Sequence, residues 1–160
     1  MAKHRLTAAE EALIGQTISG RYKIESFLGK GDIGPVYSGQ DIQTSSRVAI
    51  KTIQFDLSET ELKERFKSDA ALLSGLKHPN LAAFLDFGLL DSGGGYFVME
   101  YVDGLRLRDK LEREKRISID ETLQIAREIC DALSVAHKKG IIHMDLTPEN
   151  IMYHSDSHKW

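Results

Sequence analysis

Three glycines, at positions 29, 31 and 34, limit what this chain can fold into more sharply than any other feature. They fit G-x-G-x-x-G, a pattern that in isolation reads best as a plain glycine-rich turn. The flanks decide more. Tyr22, Ile24 and Ser26-Phe27-Leu28 read as a strand ahead of the glycines, and Val36-Tyr37-Ser38-Gly39-Gln40 as another behind them. A dinucleotide-binding turn would lead into a helix, so that architecture is disfavoured. A hairpin is left. Its glycines carry no Cβ, so backbone N–H groups can come up against a phosphate.

The rest of the chain falls into two regimes. Arg47 to Ile53 reads as a third strand, with Val48 and Ile50 alternating against Ala49 and Lys51. Ser58 and Glu61 have capping-box spacing for a helix whose apolar line runs Leu62, Phe66, Asp69, Leu73, Leu76 and stops at Pro79. Two further strands, Leu81 to Phe87 and Tyr96 to Tyr101, flank the turn Asp91-Ser92-Gly93-Gly94-Gly95. Beyond Gly104 helices take over. Leu105, Leu107 and Leu111 mark a short one, and Ser118 to His137 forms a long one ended by Lys138-Lys139-Gly140. Its apolar face is expected to hold Leu123, Ala126, Cys130, Leu133 and His137, with Cys130 in the core. Residues 1–20 are a lead-in with one short helix, given the capping-box spacing of Thr7 and Glu10. The sum is an α+β fold, a five-stranded antiparallel sheet with one helix followed by helices, with a boundary near Val102 to Gly104.

Composition serves mainly to exclude. A chain of 160 residues, 41% hydrophobic and 28% charged, is about one globular domain. A net charge of −3 argues against a nucleic-acid surface. No apolar run approaches the roughly 18 residues of a membrane span, and the lone Cys130 suits a reducing, cytoplasmic setting.

Two local clusters carry chemistry. Lys51 sits on an alternating strand, where a lysine usually just faces solvent; Asp69, on an apolar helical line, would need a cation if buried, and Lys51 is the nearest sensible one. The alternative places Asp69 at the line's wet edge. In Ile142-His143-Met144-Asp145-Leu146-Thr147-Pro148-Glu149-Asn150-Ile151, a carboxylate that could accept a hydroxyl proton lies five residues before an amide that could ligate a metal. As a lone fragment this would be an Asp-Pro-Asn turn.

Taken in order, these segments resemble the eukaryotic-type protein kinases. The resemblance runs from Gly29–Val36 through Val48–Lys51, His78-Pro79-Asn80 and Tyr96–Gly104 to His143–Asn150, and covers residues 21–155. Leu146-Thr147-Pro148-Glu149-Asn150 is closer to the serine/threonine branch, and Ile14-Gly15-Gln16 with Arg21–Ile24 is similar to its bacterial members. The resemblance implies an N-terminal extension (1–20), an ATP-binding lobe (21–102) and the start of a helical lobe (103–160). It also implies roles. Leu28 would bind the nucleotide, the glycine segment Gly29, Lys30, Gly31, Asp32, Ile33, Gly34 and Val36 would cover the phosphates of ATP, and Lys51, paired to Asp69, would contact them. Val36 and Ala49 would sandwich adenine against Met152, with Met99 behind and the backbone of Glu100 and Val102 at its edge. Asp145 would deprotonate a substrate hydroxyl and Asn150 would hold Mg²⁺. The implied partner is a protein bearing serine or threonine.

Several positions depart from the family. Asp69 replaces a glutamate, with about 1.5 Å less reach. Met144 replaces an arginine that reads a phosphorylated activation loop, and Thr147 a lysine that steadies the transferred phosphate. Asp32 puts a carboxylate over the phosphates. No Asp-Phe-Gly follows Asn150, and Asp86-Phe87-Gly88 is a coincidence inside a strand. The expectation is therefore a kinase fragment with negligible transfer alone. The alternatives are a nucleotide-binding or scaffolding pseudokinase and, third, a small-molecule phosphotransferase. The partly covered long helix is expected to favour self-association.

Overall fold

In the computed structural model, which describes residues 6–31, 34–55 and 60–160, alternation of apolar and polar residues sets the strands. The elements are α1 (Ala8–Glu11), β1 (Thr17–Ile18), β2 (Tyr22–Lys30), β3 (Pro35–Asp41), β4 (Arg47–Ile53), α2 (Thr60–Ser74), β5 (Phe84–Leu89) and β6 (Gly95–Glu100). After these come β7 (Gly104–Arg106), α3 (Leu107–Glu114), α4 (Ile119–Lys138) and β8 (Met152–His154). Two compact units result. The first runs to Gly75 and includes Phe84–Tyr101; the second comprises Leu76–Ala83 and Val102–Trp160.

The first unit holds an antiparallel sheet in the order β1-β2-β3-β4-β6-β5. It has six strands rather than the expected five, because Thr17–Ile18 of the lead-in pairs with Tyr22 and Lys23. β5 begins at Phe84, not Leu81, since Leu81–Ala83 belongs to the second unit. One sheet face is packed by Tyr22, Ile24, Tyr37, Val48, Ile50, Tyr96 and Val98, all essentially inaccessible to water. α2 lies against the other face, where Phe66 stacks on Phe97 with ring centroids 4.8 Å apart.

The line of burial along α2 differs from the expected one. Phe66 and Ala70, four apart, face the sheet. Leu62 and Asp69 lie off that line and are exposed. The Ser58 half of the expected capping box lies outside the described residues.

In the second unit Ser118 caps α4 by accepting from the Glu121 N–H at 3.1 Å. Its buried line is Ile125, Ala132 and Ala136, with Ile125 in a cluster with Leu107 and Trp160. Leu123 and Cys130, expected on the covered face, are exposed, so Cys130 is not a core residue. The helix carries apolar residues on two faces, and the packing uses the one containing Ile125. β7 and β8, absent from the sequence reading, form a two-stranded sheet. Ser155-Asp156-Ser157 turns the chain back into a bridge between His154 and Lys159.

Candidate functional site

In the first unit, sheet register gathers most of the candidate nucleotide-binding residues. Opposed residues in an antiparallel pair share a face. Lys51 opposes Val36 on one side and Phe97 on the other, while Ala49 opposes Met99. Val36, Ala49, Lys51 and Met99 therefore lie on one face, all half-buried. Val48, Ile50 and Thr52, between them in sequence, point into the core. Glu100 follows Met99 at the end of β6 and is exposed.

The glycine hairpin joins β2 to β3 with Gly29 opposite Val36 and Lys30 opposite Pro35. The Gly31 N–H donates to the Gly34 carbonyl at 3.1 Å. Gly34 is dictated by crowding, since a Cβ there would collide with the backbone carbonyl of Thr52. Above Gly31 the space is open. Leu28 is half-buried in β2; Asp32 and Ile33 lie outside the described residues.

Two of these residues behave differently from the expectation. Asp69 is not paired with Lys51: its side chain is 61% exposed and its cation is Arg65, one helical turn back, at 3.9 Å. The wet-edge alternative holds, because the short carboxylate sits beside rather than on the line Phe66–Ala70. Among the described residues Lys51 has no ion pair. Lys30 has one, with Glu10 of α1 at 2.9 Å.

In the second unit, the Asp145–Asn150 segment is a self-fastened turn. The Asn150 side-chain amide donates to the Asp145 backbone carbonyl at 2.8 Å and to its carboxylate at 3.0 Å. The Asp145 N–H donates to the His143 carbonyl at 2.8 Å, which folds a tight three-residue turn around Met144, held at φ 63° with its side chain in solvent. The first turn of α3 secures the far side. Leu107 N–H donates to Ile151 and Arg108 N–H to Pro148, which uses helix-end donors that have no intrahelical partner. The Arg108 guanidinium meets Glu149 at 2.7 Å and holds that carboxyl below its usual range. Met152 is fixed opposite Arg106 by the β7–β8 pairing. Val102, like Met152, is half-buried in this unit.

Sequence reasoning gave Arg108 no role in the site and Glu10 only its capping role. Both act through tertiary partners, to which local spacing gives no clue. His78 and His143 accept backbone N–H bonds from Asn80 and Asp145 at 3.2 and 3.3 Å.

Comparison with known proteins places the chain in one class. Residues 22–159 match the model of the protein kinase domain, and the chain belongs to that family. The serine/threonine-protein kinase PrkC of Bacillus subtilis is 38% identical over 141 residues, which make up 88% of this chain and 22% of that protein. The serine/threonine-protein kinase pkn3 of Myxococcus xanthus is 35% identical over 147 residues, 91% of this chain and 27% of that protein. The solved PknI kinase domain of Mycobacterium tuberculosis is similar with a TM-score of 0.74 at 28% identity, covering 88% of this chain and 58% of that one. The chain thus spans about a quarter of the length of the curated relatives it matches. No helix among the described residues is long and apolar enough to cross a membrane.

The residues present fit ATP and Mg²⁺. An ammonium with no carboxylate partner among the described residues suits phosphate, and a Cβ built at Gly31 would meet nothing within 4 Å. With the Asn150 amide nitrogen turned to Asp145, its oxygen is left as a hard donor of the kind Mg²⁺ takes.

Proposed function

We propose that this chain carries the nucleotide-binding and proton-accepting parts of a bacterial-type protein serine/threonine kinase, which moves a phosphoryl group from ATP to a protein hydroxyl. The Asp145–Asn150 turn supports this reading most directly. The amide orients the carboxylate, which accepts the hydroxyl proton of the substrate as its oxygen attacks. Asn150 would hold Mg²⁺ through its amide oxygen, and the ion would offset charge on the phosphates. Lys51 binds phosphate, and Val36, Ala49 and Met99 form an apolar surface for the base.

Two measurements test the reading. Calorimetry with ATP and Mg²⁺ is expected to show binding that Lys51→Met weakens by about tenfold or more, the scale of one charge-assisted contact. Unchanged affinity removes Lys51 from the site. Transfer of labelled phosphate by a longer form of the protein should disappear in Asp145→Ala, and turnover that survives would sink the assigned base.

A second reading, a nucleotide-binding pseudokinase, draws support from Asp69. In the family the helix carboxylate pairs with the strand lysine, and here it pairs with Arg65 instead. Nucleotide binding without transfer in the longer form would favour it.

A further inference from the structure

The lead-in grips the glycine hairpin by both arms. α1 is capped by a reciprocal pair: Glu10 N–H donates to the Thr7 hydroxyl, and the Glu10 carboxylate takes the Thr7 N–H at 2.8 Å. The same carboxylate, almost fully covered, accepts from the Lys30 ammonium at 2.9 and 3.1 Å. Lys30 is the last residue of β2. On the other arm, the phenol of Tyr37 in β3, wholly buried, donates to the backbone carbonyl of Glu10 at 2.9 Å. Leu13 anchors the segment in the sheet core, and Gly15 and Gln16 exchange backbone bonds with Ile24. One residue outside the sheet thereby touches each strand of the hairpin, next to the glycines.

We infer that Glu10 is a positioning residue for the glycine hairpin: by holding Lys30 and Tyr37 it fixes the height of the turn over the phosphates of a bound nucleotide. The ligand part of this rests on the proposed ATP site; the clamp itself does not. In this arrangement the Lys30 ammonium is a structural cation, while its backbone stays in the segment expected to cover the phosphates. The Thr7 amide and the Lys30 ammonium also hold the Glu10 carboxyl below its ordinary range, so the clamp is charged at neutral pH.

Glu10→Gln separates the two roles of the Glu10 carboxylate, capping α1 and pairing with Lys30. Its amide oxygen can still accept from Thr7, so α1 stays capped while the ion pair is lost. Hydrogen exchange on the full chain without nucleotide is expected to quicken at Gly29, Lys30 and Gly31 and to stay unchanged in α4. Calorimetry with ATP and Mg²⁺ is expected to show affinity lowered by about two- to fivefold, the scale of a partly exposed ion pair. Lys30→Ala should do the same, and Lys30→Arg should restore both readings. Exchange at the hairpin that Glu10→Gln leaves untouched overturns the clamp, whether or not nucleotide binds. Faster exchange with affinity equal to or above that of the wild type overturns the positioning role, because freeing Lys30 would then have helped or spared the phosphates. Absence of ATP binding in the wild-type chain, with exchange responding as expected, instead removes the proposed nucleotide site and the positioning role with it, leaving the clamp.

Discussion

Individual side chains show how small displacements from an apolar line decide a role. Asp69 and Ala70 are neighbours in sequence, yet Ala70 is fully buried and Asp69 meets solvent and Arg65. Cys130 is similar, one face away from the buried line of α4, and a thiol reagent should modify it in the folded chain at a rate close to that in denaturant. Protection would return it to the core. Arg108 makes a sharper case. Its guanidinium is the side-chain link between α3 and the Asp145–Asn150 turn, so Arg108→Ala should speed amide exchange at Asn150 and Ile151 while leaving β4 unchanged. The lowered Glu149 carboxyl pKa gives the sign with pH: the link contributes fully above the unfolded glutamate pKa and is lost as pH falls through the folded one. Acid should therefore erase the difference between variant and wild type.

Among the elements, β4 was the most legible. Its Arg47–Ile53 limits and its alternation could be read directly, because a seven-residue run with one buried face repeats every two residues without exception. α2 and α4 were legible as helices but not in their facing. Each offers more than one apolar line, and only the partner surface, here Phe97 or Leu107 with Trp160, selects among them. The Asp145–Asn150 turn was readable as a motif, whereas its fastening to α3 was not, since the partners stand about forty residues apart. The glycines give a graded test. A Cβ at Gly95 would lie 2.5 Å from the Phe66 ring, and one at Gly34 would meet the Thr52 carbonyl. Gly34→Ala and Gly95→Ala should each cost about 1–3 kcal/mol in denaturant unfolding, the usual range for overpacking. Gly31→Ala, with open space around it, should leave stability within about 1 kcal/mol of wild type or raise it. Its ATP affinity should nonetheless fall, as the methyl would occupy the room left for phosphate.

For the molecule as a whole, acid stability of the first unit should rest on one network. Arg21 holds Asp41 at 2.7 Å and lies 3.6 Å from Asp86, which also accepts from Tyr22, so strands β2, β3 and β5 meet there. The Arg21 hydrogen bond lowers the Asp41 carboxyl pKa to about 2. A depressed carboxyl stabilises the fold fully above the unfolded value of about 4 and loses that contribution as pH falls towards 2. Asp41→Asn should flatten the acid limb of a pH-melting series between those values; an unchanged limb would dismiss the network. The outward residues of α4, including Ile119 at 79% exposure and Leu123 at 57%, lead to the expectation of concentration-dependent association. Sedimentation that stays monomeric over a hundredfold range of concentration (about 1–100 μM, where weak contacts of this kind show) would dispose of it.

The alternation along β4 has a consequence for how such a chain can vary. Even-numbered positions there belong to the interior, and odd-numbered ones include the Lys51 ammonium and Ala49. A single inserted or deleted residue would trade the two sets, turning an ammonium inward and a buried isoleucine out to water. That strand can change its letters far more freely than its length.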